Sequence, residues 1–429
     1  MRIGEIQNAE ATRFGHPLDG VRILAIEQMQ ALPYGTQLLS RLGADVVKVE
    51  PLAGESARGA LPRMLDPEGQ PVGSTFLRNN LGKRSISVDL KHPEGRELIL
   101  RIAPHFDVVC ENFKTGTMDR LGLGYEDISR VHPSVIYASV SGFGRADGPY
   151  NGLPAYAPVA EGMSGLYYFK TEPGRRPTTS PVGSLGDTGT SLFAVIGVLA
   201  ALLHRANTGE GQVVDISMYD AMVALNDAGI NYWSMGLEDG GNAPLINQAF
   251  LASDGYFVVQ VIRTVQFERL AEVLGKPEWK TDPTLASPAQ WLEHLDDIIR
   301  PEIERWASNR TKLDAALELA HRGIASGPIH TQAEVVADAH VRNRNMIVEM
   351  ERTDGVDGSI LSPGNPVKLS KMAEGPWSRV PWCGEHTVEL LSELGLPIGE
   401  IRDLIHTGVI GSSSQPEEDL SSLPGVATR

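Results

Sequence analysis

The sequence predicts an α/β fold: a doubly wound, parallel, Rossmann-like sheet in a large domain, followed by a smaller α+β domain. Three observations predict it. Short apolar strands alternate with helices over the first 140 residues, which is the pattern of a parallel sheet with helices on both faces. The 429 residues exceed the size at which one hydrophobic core usually stops growing. After residue 255 the helices become charged and amphipathic, as expected of a separate domain.

The strands and helices of the large domain follow one another in a regular order. Residues 22–27 form the first apolar strand, Pro33 introduces a helix over residues 34–42 that Gly43 ends, and residues 45–50 form a second strand. The same periodicities predict strands over residues 85–90, 107–111 and 135–140, and helices over residues 93–103, 118–121 and 125–131. Such alternation favours βαβ units and therefore a parallel sheet.

The next helix is unusual in composition. Residues 188–204 are apolar on every side of the helix, which is typical of a buried one. Beyond it, the pattern predicts strands over residues 213–217 and 255–261, and helices from Met218 and over residues 265–274, 291–306, 311–322 and 385–394.

These elements divide the chain into domains. The predicted parts are an N-terminal arm (1–18), a large domain (19–232), a linker (233–245), a small domain (246–344), a return linker (345–367), a segment that rejoins the large domain (368–410) and a disordered tail (411–429).

Charge and cysteine content narrow the functional classes. Lys and Arg number 38 and Asp and Glu 54, a net charge of −16, which argues against non-specific binding to nucleic acids or to an anionic membrane. An anionic ligand would therefore need a local basic pocket. Cys110 and Cys383 have neither disulfide-framework nor zinc-ligand spacing, so no metal site is expected.

The predicted compartment is the cytoplasm. Two separate cysteines suit a reducing environment, and residues 1–18 lack the charge and apolar pattern of a secretory signal. The longest apolar run, residues 192–203, is too short to span a bilayer.

Several common motifs are missing. The first strand is followed by residues 28–33, QMQALP, which lack the glycines of a dinucleotide-binding turn. No P-loop, G-x-S-x-G elbow or H-E-x-x-H zinc helix occurs. These absences weigh against a nicotinamide-dependent oxidoreductase, although the fold alone would allow one.

The motif that remains is Gly186-Asp187-Thr188-Gly189, where a glycine-rich loop meets the apolar helix. The N-terminus of a helix favours an ionised carboxylate, and Asp187 could act as a nucleophile with nearby backbone N–H groups holding an oxyanion. A plain helix cap is the alternative, and spacing alone favours it, because Asp is a common N-cap residue.

Short stretches along most of the chain carry a family resemblance. In order they are LDGVR (18–22), LGADVVKVE (42–50), KRSI (83–86), DLK (89–91), ENF (111–113), DRLG (119–122), GD (186–187) and GEHT (384–387). With these the sequence resembles the family III CoA-transferases, which include formyl-CoA and carnitine CoA-transferases. The role of the last stretch, with Gly384, Glu385 and His386, does not follow from the sequence.

The resemblance implies an activity. Asp187 would be a covalent nucleophile that takes CoA from an acyl-CoA thioester to a free carboxylic acid, through an aspartyl mixed anhydride and an aspartyl-CoA thioester. CoA and acyl-CoA would be substrates, and no permanently bound cofactor or metal would be needed. The family also implies an interlocked homodimer.

The resemblance further implies the CoA contacts. They are Gln30, Ala31, Val88, Asp89, Leu90, Lys91, Asn112, Phe113, Arg120 and Tyr156. Lys91 and Arg120 could meet phosphates, and Asn112 could bind the pantetheine amides. Without the resemblance, Lys91 and Arg120 would be interpreted as surface charges and Phe113 as a core residue.

Departures from the family pattern concern the acyl side of the site. Gln28, a possible acyl-pocket residue, and Pro51 stand where the formyl-CoA member has histidine and arginine. Its glycine-rich flap is represented by Gly240 and Gly241, which imply a mobile substrate loop.

Two alternative functions stay open on the sequence. A 2-methylacyl-CoA racemase would need a histidine base, and no histidine lies between His132 and His204. A CoA-binding protein without turnover would keep the channel but not the chemistry, and the intact Asp187 argues against it.

Overall fold

The structure is a computed structural model that describes residues 1–168, 171, 174–237 and 245–413. The described residues group into two compact units, one within Met1–Met235 and Arg342–Arg429 and the other within Gly236–Val341. The substrate-loop residues Gly240 and Gly241 lie outside the described residues, as do most of the predicted linker and tail. The domain boundaries proposed from the sequence stay a prediction.

The strands and helices of the described residues are numbered in chain order. The strands are β1 (Arg22–Ile26), β2 (Asp45–Glu50), β3 (Arg63–Leu65), β4 (Pro71–Gly73), β5 (Arg84–Val88), β6 (Val108–Glu111), β7 (Ile136–Ser141), β8 (Val213–Ser217), β9 (Ile246–Ala252), β10 (Gly255–Val261), β11 (Ala325–Pro328), β12 (Ile347–Glu351), β13 (Ser359–Pro363) and β14 (Ile410–Gly411). The α-helices are α1 (Pro33–Arg41), α2 (Ser74–Asn79), α3 (Pro93–Ile102), α4 (Thr117–Leu121), α5 (Tyr125–Val131), α6 (Ala157–Met163), α7 (Leu185–Thr208), α8 (Met218–Leu225), α9 (Asp227–Ser234), α10 (Thr264–Val273), α11 (Pro288–Glu293), α12 (Arg300–Ala307), α13 (Lys312–His321), α14 (Gln332–Ala337), α15 (Ala339–Asn343), α16 (Thr387–Glu393) and α17 (Ile398–His406).

The predicted parallel sheet is confirmed. Seven strands lie in the order β14-β5-β2-β1-β6-β7-β8, and all neighbours are parallel except β14, which runs antiparallel to β5. In the centre, Leu24 of β1 lies between Val47 of β2 and Val109 of β6. Most side chains of these strands are apolar and buried, because helices cover both faces of the sheet.

The strand order places a crevice at the middle of the sheet. From β1 the chain builds outward to β2 and β5, then returns to the other side of β1 to form β6, β7 and β8. The connections therefore diverge between β1 and β6, and ligands of such sheets bind beyond the carboxyl ends of the strands at this point.

The motif at residues 384–387 has a structural role. The N–H of Gly384 donates to Ser85 Oγ (3.0 Å), His386 Nδ1 accepts from the Ser85 N–H (3.2 Å), and Thr387 Oγ1 accepts from the Ser87 N–H (3.1 Å). Gly384 has a φ of 68°, and a Cβ there would lie 2.9 Å from the Ser87 side chain. The motif thus fastens α16 to β5, at a turn that favours glycine.

Helix α7 begins earlier and is less buried than predicted. Its 24 residues start at Leu185, so Asp187 is the third residue of the helix and Ser184 occupies the N-cap position. One face packs on the sheet, but Leu192, Ile196 and Leu203 are 49, 61 and 66% exposed. The all-round apolar composition was therefore wrongly interpreted as full burial within one chain.

The length of α7 also corrects a sequence estimate. Among the described residues α7 is a helix that is long and apolar enough to cross a membrane. In the structure, 39% of its most apolar 18-residue stretch is buried. Because Ala194, Val198 and Ala201 pack into the sheet unit, this composition is weak evidence for a membrane span.

The second unit has its own antiparallel sheet in the order β11-β10-β9. Phe267 stacks on Trp279 and Trp291, with ring centroids 5.9 and 4.5 Å apart, in the core of this unit. The single helix predicted over residues 291–306 is instead α11, a π-helical turn over Leu295–Ile299, and α12. Pro301 is the second residue of α12, where proline is tolerated, and this is consistent with a break before it.

Two predicted irregular segments contain regular structure. The predicted return linker forms a hairpin in which Val348 and Met350 of β12 are buried, because apolar side chains alternate along that strand. The predicted disordered tail begins at Gly411, yet Gly411 belongs to β14 and pairs with Ser87. The predicted linker begins at Trp233, which the structure places in α9.

Candidate active site

A cavity of about 300 Å³ opens at the carboxyl edge of the parallel sheet, beside the β1–β6 crevice. Its wall is built from the residues that follow β1, β6, β7 and β8, together with the start of α7. The predicted site residues in this wall are Gln28, Ala31, Asn112, Phe113, Tyr156 and Asp187. The fold therefore brings together residues that are up to 159 positions apart in the chain.

The segment after β1 is held in one conformation, which we call the β1 loop (residues 28–31). The Gln28 N–H donates to Asn112 Oδ1 (2.9 Å), and Asn112 Nδ2 donates back to the Gln28 carbonyl (2.8 Å). Met29 has a φ of 60°, a left-handed conformation that a side chain rarely adopts. Its N–H donates to Glu55 Oε2 (3.1 Å). Such strain persists only where neighbouring contacts enforce it.

A buried set of ion pairs, which we call the paired cluster, supports this loop. It comprises Glu27, Lys48, Glu50, Glu55, Arg58 and Lys83. Lys83 Nζ lies 2.6 Å from Glu27 Oε1, and Arg58 binds Glu50 through two hydrogen bonds of 2.6 and 2.7 Å. Lys48 Nζ donates to the backbone carbonyl of Glu27 (3.1 Å). The cluster therefore holds the residue immediately before the β1 loop.

The paired cluster keeps Glu27 and Glu50 ionised. Burial opposes the charged form of Glu27, but Lys83 and Lys48 hold its pKa below the ordinary value. The same balance, with Arg58 as the cation, holds the pKa of Glu50 below its ordinary value. Each buried acid therefore has a cation in direct contact.

The crevice is closed on its other side by the end of β6. The Phe113 N–H donates to Glu111 Oε2 (2.8 Å), and Ser139 donates to the other carboxylate oxygen. Burial raises the pKa of Glu111 to about 7 despite these bonds. The carboxyl group therefore fixes the turn that presents Asn112 and Phe113 to the cavity.

Asp187 reaches the cavity from the first turn of α7. The Ser191 hydroxyl, one turn later, donates to the Asp187 carbonyl (2.9 Å) and to the Ala31 carbonyl. One side chain thus ties the helix to the β1 loop. Gly186 allows a close approach to α6, since a Cβ there would lie 2.9 Å from the Cα of Ala157.

A second acid lies next to Asp187. Glu161 of α6 is 1% exposed, and its Oε1 accepts from the Gly186 N–H (2.8 Å), while Tyr167 donates to Oε2. Glu161 therefore occupies one of the backbone donors beside Asp187, and this donor is not available to an oxyanion. This N–H instead binds Glu161 at the first turn of α7.

The surroundings of Asp187 make it a weaker acid than usual. Burial raises the pKa of Asp187 to about 6, and the nearby Glu161 carboxylate adds to the rise. A hydrogen bond with Ser184 and the positive charge of Arg78 oppose it. At neutral pH most Asp187 side chains are ionised and poorly solvated, which suits a nucleophile.

The other predicted CoA contacts lie outside the wall of this cavity. Among the described residues these are Gln30, Val88, Asp89, Leu90, Lys91 and Arg120. Val88 is buried in the sheet, whereas Lys91 and Arg120 are exposed on the surface. Gln30 is 7% exposed, and its side-chain oxygen accepts from Arg78 (2.6 Å). The roles proposed for these residues stay predictions.

Several site residues were not identified from the sequence. Met29, Lys114, Ser141, Phe143 and Met218 line the cavity. Each follows or ends a parallel strand, so the convergence of strand ends at one edge of the sheet could have indicated them. Glu161 and Arg78 had no comparable signal, because their importance depends on contacts between distant segments.

Comparison with known proteins identifies the family. Residues 18–387 match the model of CoA-transferase family III. The succinyl-CoA:mesaconate CoA-transferase of Haloarcula hispanica is 34% identical over 90% of this chain and 98% of its own length. The formyl-CoA:oxalate CoA-transferase of Bradyrhizobium diazoefficiens is 34% identical over 92% of this chain and 97% of its own length.

The solved structures agree with this result. The crystal structure of a CAIB/BAIF family protein from Brucella suis superimposes with a TM-score of 0.78 at 34% identity, covering 88% of this chain and 99% of that one. The named relatives transfer CoA, so the comparison does not favour the racemase alternative. No histidine is found in the cavity wall among the described residues either. The chain belongs to CoA-transferase family III, and it is an enzyme of that class.

Proposed function

We propose that this enzyme moves CoA from an acyl-CoA to a free carboxylic acid with Asp187 as the covalent nucleophile. The observation that carries the proposal is the position of Asp187. It is a carboxylate with a pKa of about 6 in the wall of the cavity that also exposes Gln28, Ala31, Asn112 and Phe113.

The first half of the reaction transfers CoA to the enzyme. An Asp187 carboxylate oxygen attacks the thioester carbonyl carbon, the carbon–sulfur bond breaks, and CoA leaves as a thiolate. The thiolate then attacks the Asp187 carbonyl carbon of the mixed anhydride. This step releases the donor acid as a carboxylate and leaves an aspartyl-CoA thioester.

The second half repeats these exchanges with the acceptor. The acceptor carboxylate attacks the Asp187 carbonyl carbon and expels the CoA thiolate, which gives a second anhydride. The thiolate attacks the acceptor's acyl carbon, forming the new acyl-CoA and regenerating the Asp187 carboxylate. No net proton or electron is consumed, so the chemistry requires no metal or redox cofactor.

The cavity wall supplies positioning for these steps. The β1 loop and Asn112 are fixed by mutual hydrogen bonds of 2.8 and 2.9 Å, so their remaining polar groups are presented without reorganisation. Lys91 and Arg120 are exposed cations on a chain of net charge −16, and we propose that they meet the CoA phosphates. Gly240 and Gly241 are proposed as the substrate loop.

Mass spectrometry tests the covalent step. The protein is incubated with a panel of acyl-CoA donors and quenched with hydroxylamine or borohydride, and peptides containing residue 187 are analysed. We expect a hydroxamate or a reduction product at Asp187 that Asp187→Ala lacks. Absence of an adduct together with α-proton exchange in deuterated water would instead identify a racemase, and absence of both would leave a CoA-binding protein.

We also propose that two chains form a homodimer. The exposed side chains Leu192, Ile196 and Leu203 lie on one face of α7, and Trp233 and Met235 are 67 and 74% exposed. Apolar surfaces of this kind usually mark an interface, and a second copy would also cover the helix that carries Asp187. Light scattering should give a dimer for the native chain and a smaller species for Ile196→Asp, whereas a native monomer would contradict the proposal.

The proposed compartment is the cytoplasm. Cys110 and Cys383 are both free thiols, the first buried and the second partly buried, as expected under reducing conditions. Cell fractionation with an antibody against the protein should place it in the cytoplasmic fraction, and recovery elsewhere would contradict this.

A further inference from the structure

Arg78 is a cation beside the nucleophile that the reaction scheme above does not use. It lies in the last turn of α2, and its guanidinium donates to the side-chain oxygen of Gln30 (2.6 Å). Gln30 is almost fully buried, so it holds the guanidinium in place. Arg78 itself is exposed, and the part of its donor fork that Gln30 does not use can reach a ligand.

Arg78 and Asp187 are linked through the β1 loop. The Arg78 charge lowers the pKa of Asp187, against the larger effect of burial. A chain of contacts joins them: Arg78 binds the Gln30 side chain, and Ser191 donates both to the carbonyl of the neighbouring Ala31 and to the Asp187 carbonyl. The guanidinium therefore lies on the Gln30 side of the nucleophile.

Arg78 differs from the other arginines near it. Arg58 is paired with Glu50, and Arg84 is paired with Asp45 at 2.6 Å. In the described part of the chain, no carboxylate lies within 4 Å of the Arg78 guanidinium. A guanidinium has five donors in a planar fork that matches a carboxylate, and here one acceptor is described for it.

The position of Arg78 relative to the cavity indicates what it binds. The cavity with Asn112 and Phe113 lies on one side of the β1 loop, and Arg78 is not part of its wall. The Arg78 charge acts on Asp187 from the side of Gln30, so an acyl group that runs from Asp187 toward Gln30 would bring its chain end near the guanidinium. An acyl chain that ends in a carboxylate would find there a charge of the opposite sign.

We propose that Arg78 binds the second carboxylate of a dicarboxylic acyl group while the thioester carbonyl faces Asp187. Arg78 thereby selects dicarboxylic acids over monocarboxylic acids of the same length. A bidentate, charge-assisted pair provides this selection, because a neutral chain end would leave the guanidinium without its acceptor. This inference rests on the proposed function, because it requires an acyl group at Asp187.

The test compares donors of matched length. Steady-state kcat/KM is measured for succinyl-CoA and butyryl-CoA with the native enzyme, Arg78→Met and Arg78→Lys, and the ratio of the two values is compared. We expect the native ratio to favour succinyl-CoA, and Arg78→Met to lower it about 100-fold, as expected for the loss of a charged hydrogen-bonded pair. Arg78→Lys should give an intermediate ratio, because lysine keeps the charge but not the fork.

The controls separate this inference from the reaction itself. Arg101→Met removes an exposed arginine that pairs with Glu400, and it should leave the ratio unchanged. If Arg78 acted only by lowering the pKa of Asp187, Arg78→Met would shift the acid limb of both pH profiles equally and leave the ratio unchanged, which would overturn the inference. A native ratio that favours butyryl-CoA would overturn it as well.

The reaction scheme has its own readout in the same experiment. If both donors form an adduct at Asp187 but Arg78→Met leaves the ratio unchanged, the covalent mechanism stands and the role of Arg78 fails. If no donor gives Asp187-dependent exchange, both fail together. Folding of each variant is checked by its thermal unfolding midpoint, so that a lower preference for succinyl-CoA is not mistaken for a loss of folded structure.

Discussion

Two groups of buried acids lie on either side of the β1 loop, and they behave in opposite ways. In the paired cluster, Glu27 and Glu50 each contact a cation at 2.6 Å and have lowered pKa values. At the start of α7, Asp187 has Glu161 as its neighbour and a pKa raised to about 6. The carboxylates of the paired cluster are fully buried, and that of Asp187 is partly buried. Burial raises the pKa of a carboxylate, and the neighbouring charges then decide whether this rise is offset, as by Lys83 and Arg58, or increased, as by Glu161.

The contrast also assigns different tasks to the two groups. A paired acid has its lone pairs occupied and gives the fold a fixed point, which here lies just before the strained Met29. An acid whose neighbour repels it keeps lone pairs available for a substrate. The largest expected effects therefore come from changing either group, on activity in one case and on stability in the other.

Removing the charge of Asp187 should have the largest effect. Asp187→Asn keeps the side-chain shape but removes the nucleophile, so CoA transfer should fall at least about 10⁴-fold. The rate of acyl-CoA exchange is the measurement. Asp220→Asn is the matched control, because Asp220 is likewise the third residue of its helix, α8, behind a serine N-cap. Comparable losses in the two variants would contradict a nucleophilic role for Asp187.

Breaking the paired cluster should cost stability. Glu27→Gln leaves Lys83 buried without its acid, whereas Lys48 keeps Glu55 at 3.4 Å. Loss of one partner from a buried pair costs about 3–5 kcal/mol. Urea denaturation at pH 7 measures the free energy of unfolding. The midpoint should fall clearly, and an unchanged midpoint would show that Lys83 finds another partner.

Asp187→Asn should also make the folded protein more stable. The folded-state pKa of Asp187 is about 6, above the ordinary 3.8, so ionising it costs folding free energy as pH rises through this range. The cost is absent below pH 3.8 and reaches about 3 kcal/mol above pH 6.

Denaturation of Asp187→Asn and the native protein at two pH values checks this sign. Asp187→Asn should be more stable by up to about 3 kcal/mol at pH 7.5, and the difference should shrink toward zero near pH 4. A variant that is less stable at pH 7.5 would show that the carboxylate is stabilised by contacts other than those described.

Removing the charge of Glu161, which lies next to Asp187, should shift the pH profile of the reaction. The native kcat/KM should fall as pH drops below about 6, where Asp187 takes up a proton. Glu161→Gln keeps an acceptor for the Gly186 N–H but removes the repelling charge, so the acid limb should move to lower pH. Tyr167→Phe keeps the Glu161 charge and serves as the control. An acid limb at the same pH in Glu161→Gln and the native enzyme would show that Glu161 does not raise the pKa of Asp187.

The smallest effect on the free energy of unfolding is expected from breaking an exposed ion pair. Arg101 and Glu400 form an exposed ion pair with a second contact of 2.9 Å. Because water screens such pairs, Glu400→Gln should change the free energy of unfolding by less than about 1 kcal/mol. Urea denaturation beside Glu27→Gln makes the comparison direct, and equal losses in the two variants would mean that burial is not what distinguishes the paired cluster.

The sequence predicted the parallel sheet well and its edges poorly. Apolar runs such as residues 22–27 and 45–50 are local signals, and the structure has strands there. The antiparallel strand β14 has two residues and depends on Ser87 and Val88, more than 300 residues earlier. No periodicity in two residues can predict such a pairing.

The candidate site was likewise predicted only in part. Asp187 could be proposed from the sequence because a helix start and a family motif coincide in four consecutive residues. The predicted helix began at residue 188, whereas α7 begins at Leu185 and places Asp187 inside its first turn. Glu161 and Arg78 act through Gly186 and Gln30, at distances of 25 and 48 residues along the chain. Their effect on the pKa of Asp187 is electrostatic and depends on three-dimensional proximity, which sequence patterns do not contain.

The pairing of β14 with β5 also sets an order of events during biosynthesis. The last strand of the main sheet is made after residue 409, and the core beneath it includes Leu390, Leu391 and Ile401. Even the amino group of Met1 binds a carbonyl at Ile347. A nascent chain therefore emerges with one face of its parallel sheet partly uncovered until the carboxyl-terminal segment leaves the ribosome. Chaperone engagement should be concentrated in that interval, when the growing chain has an unfinished core.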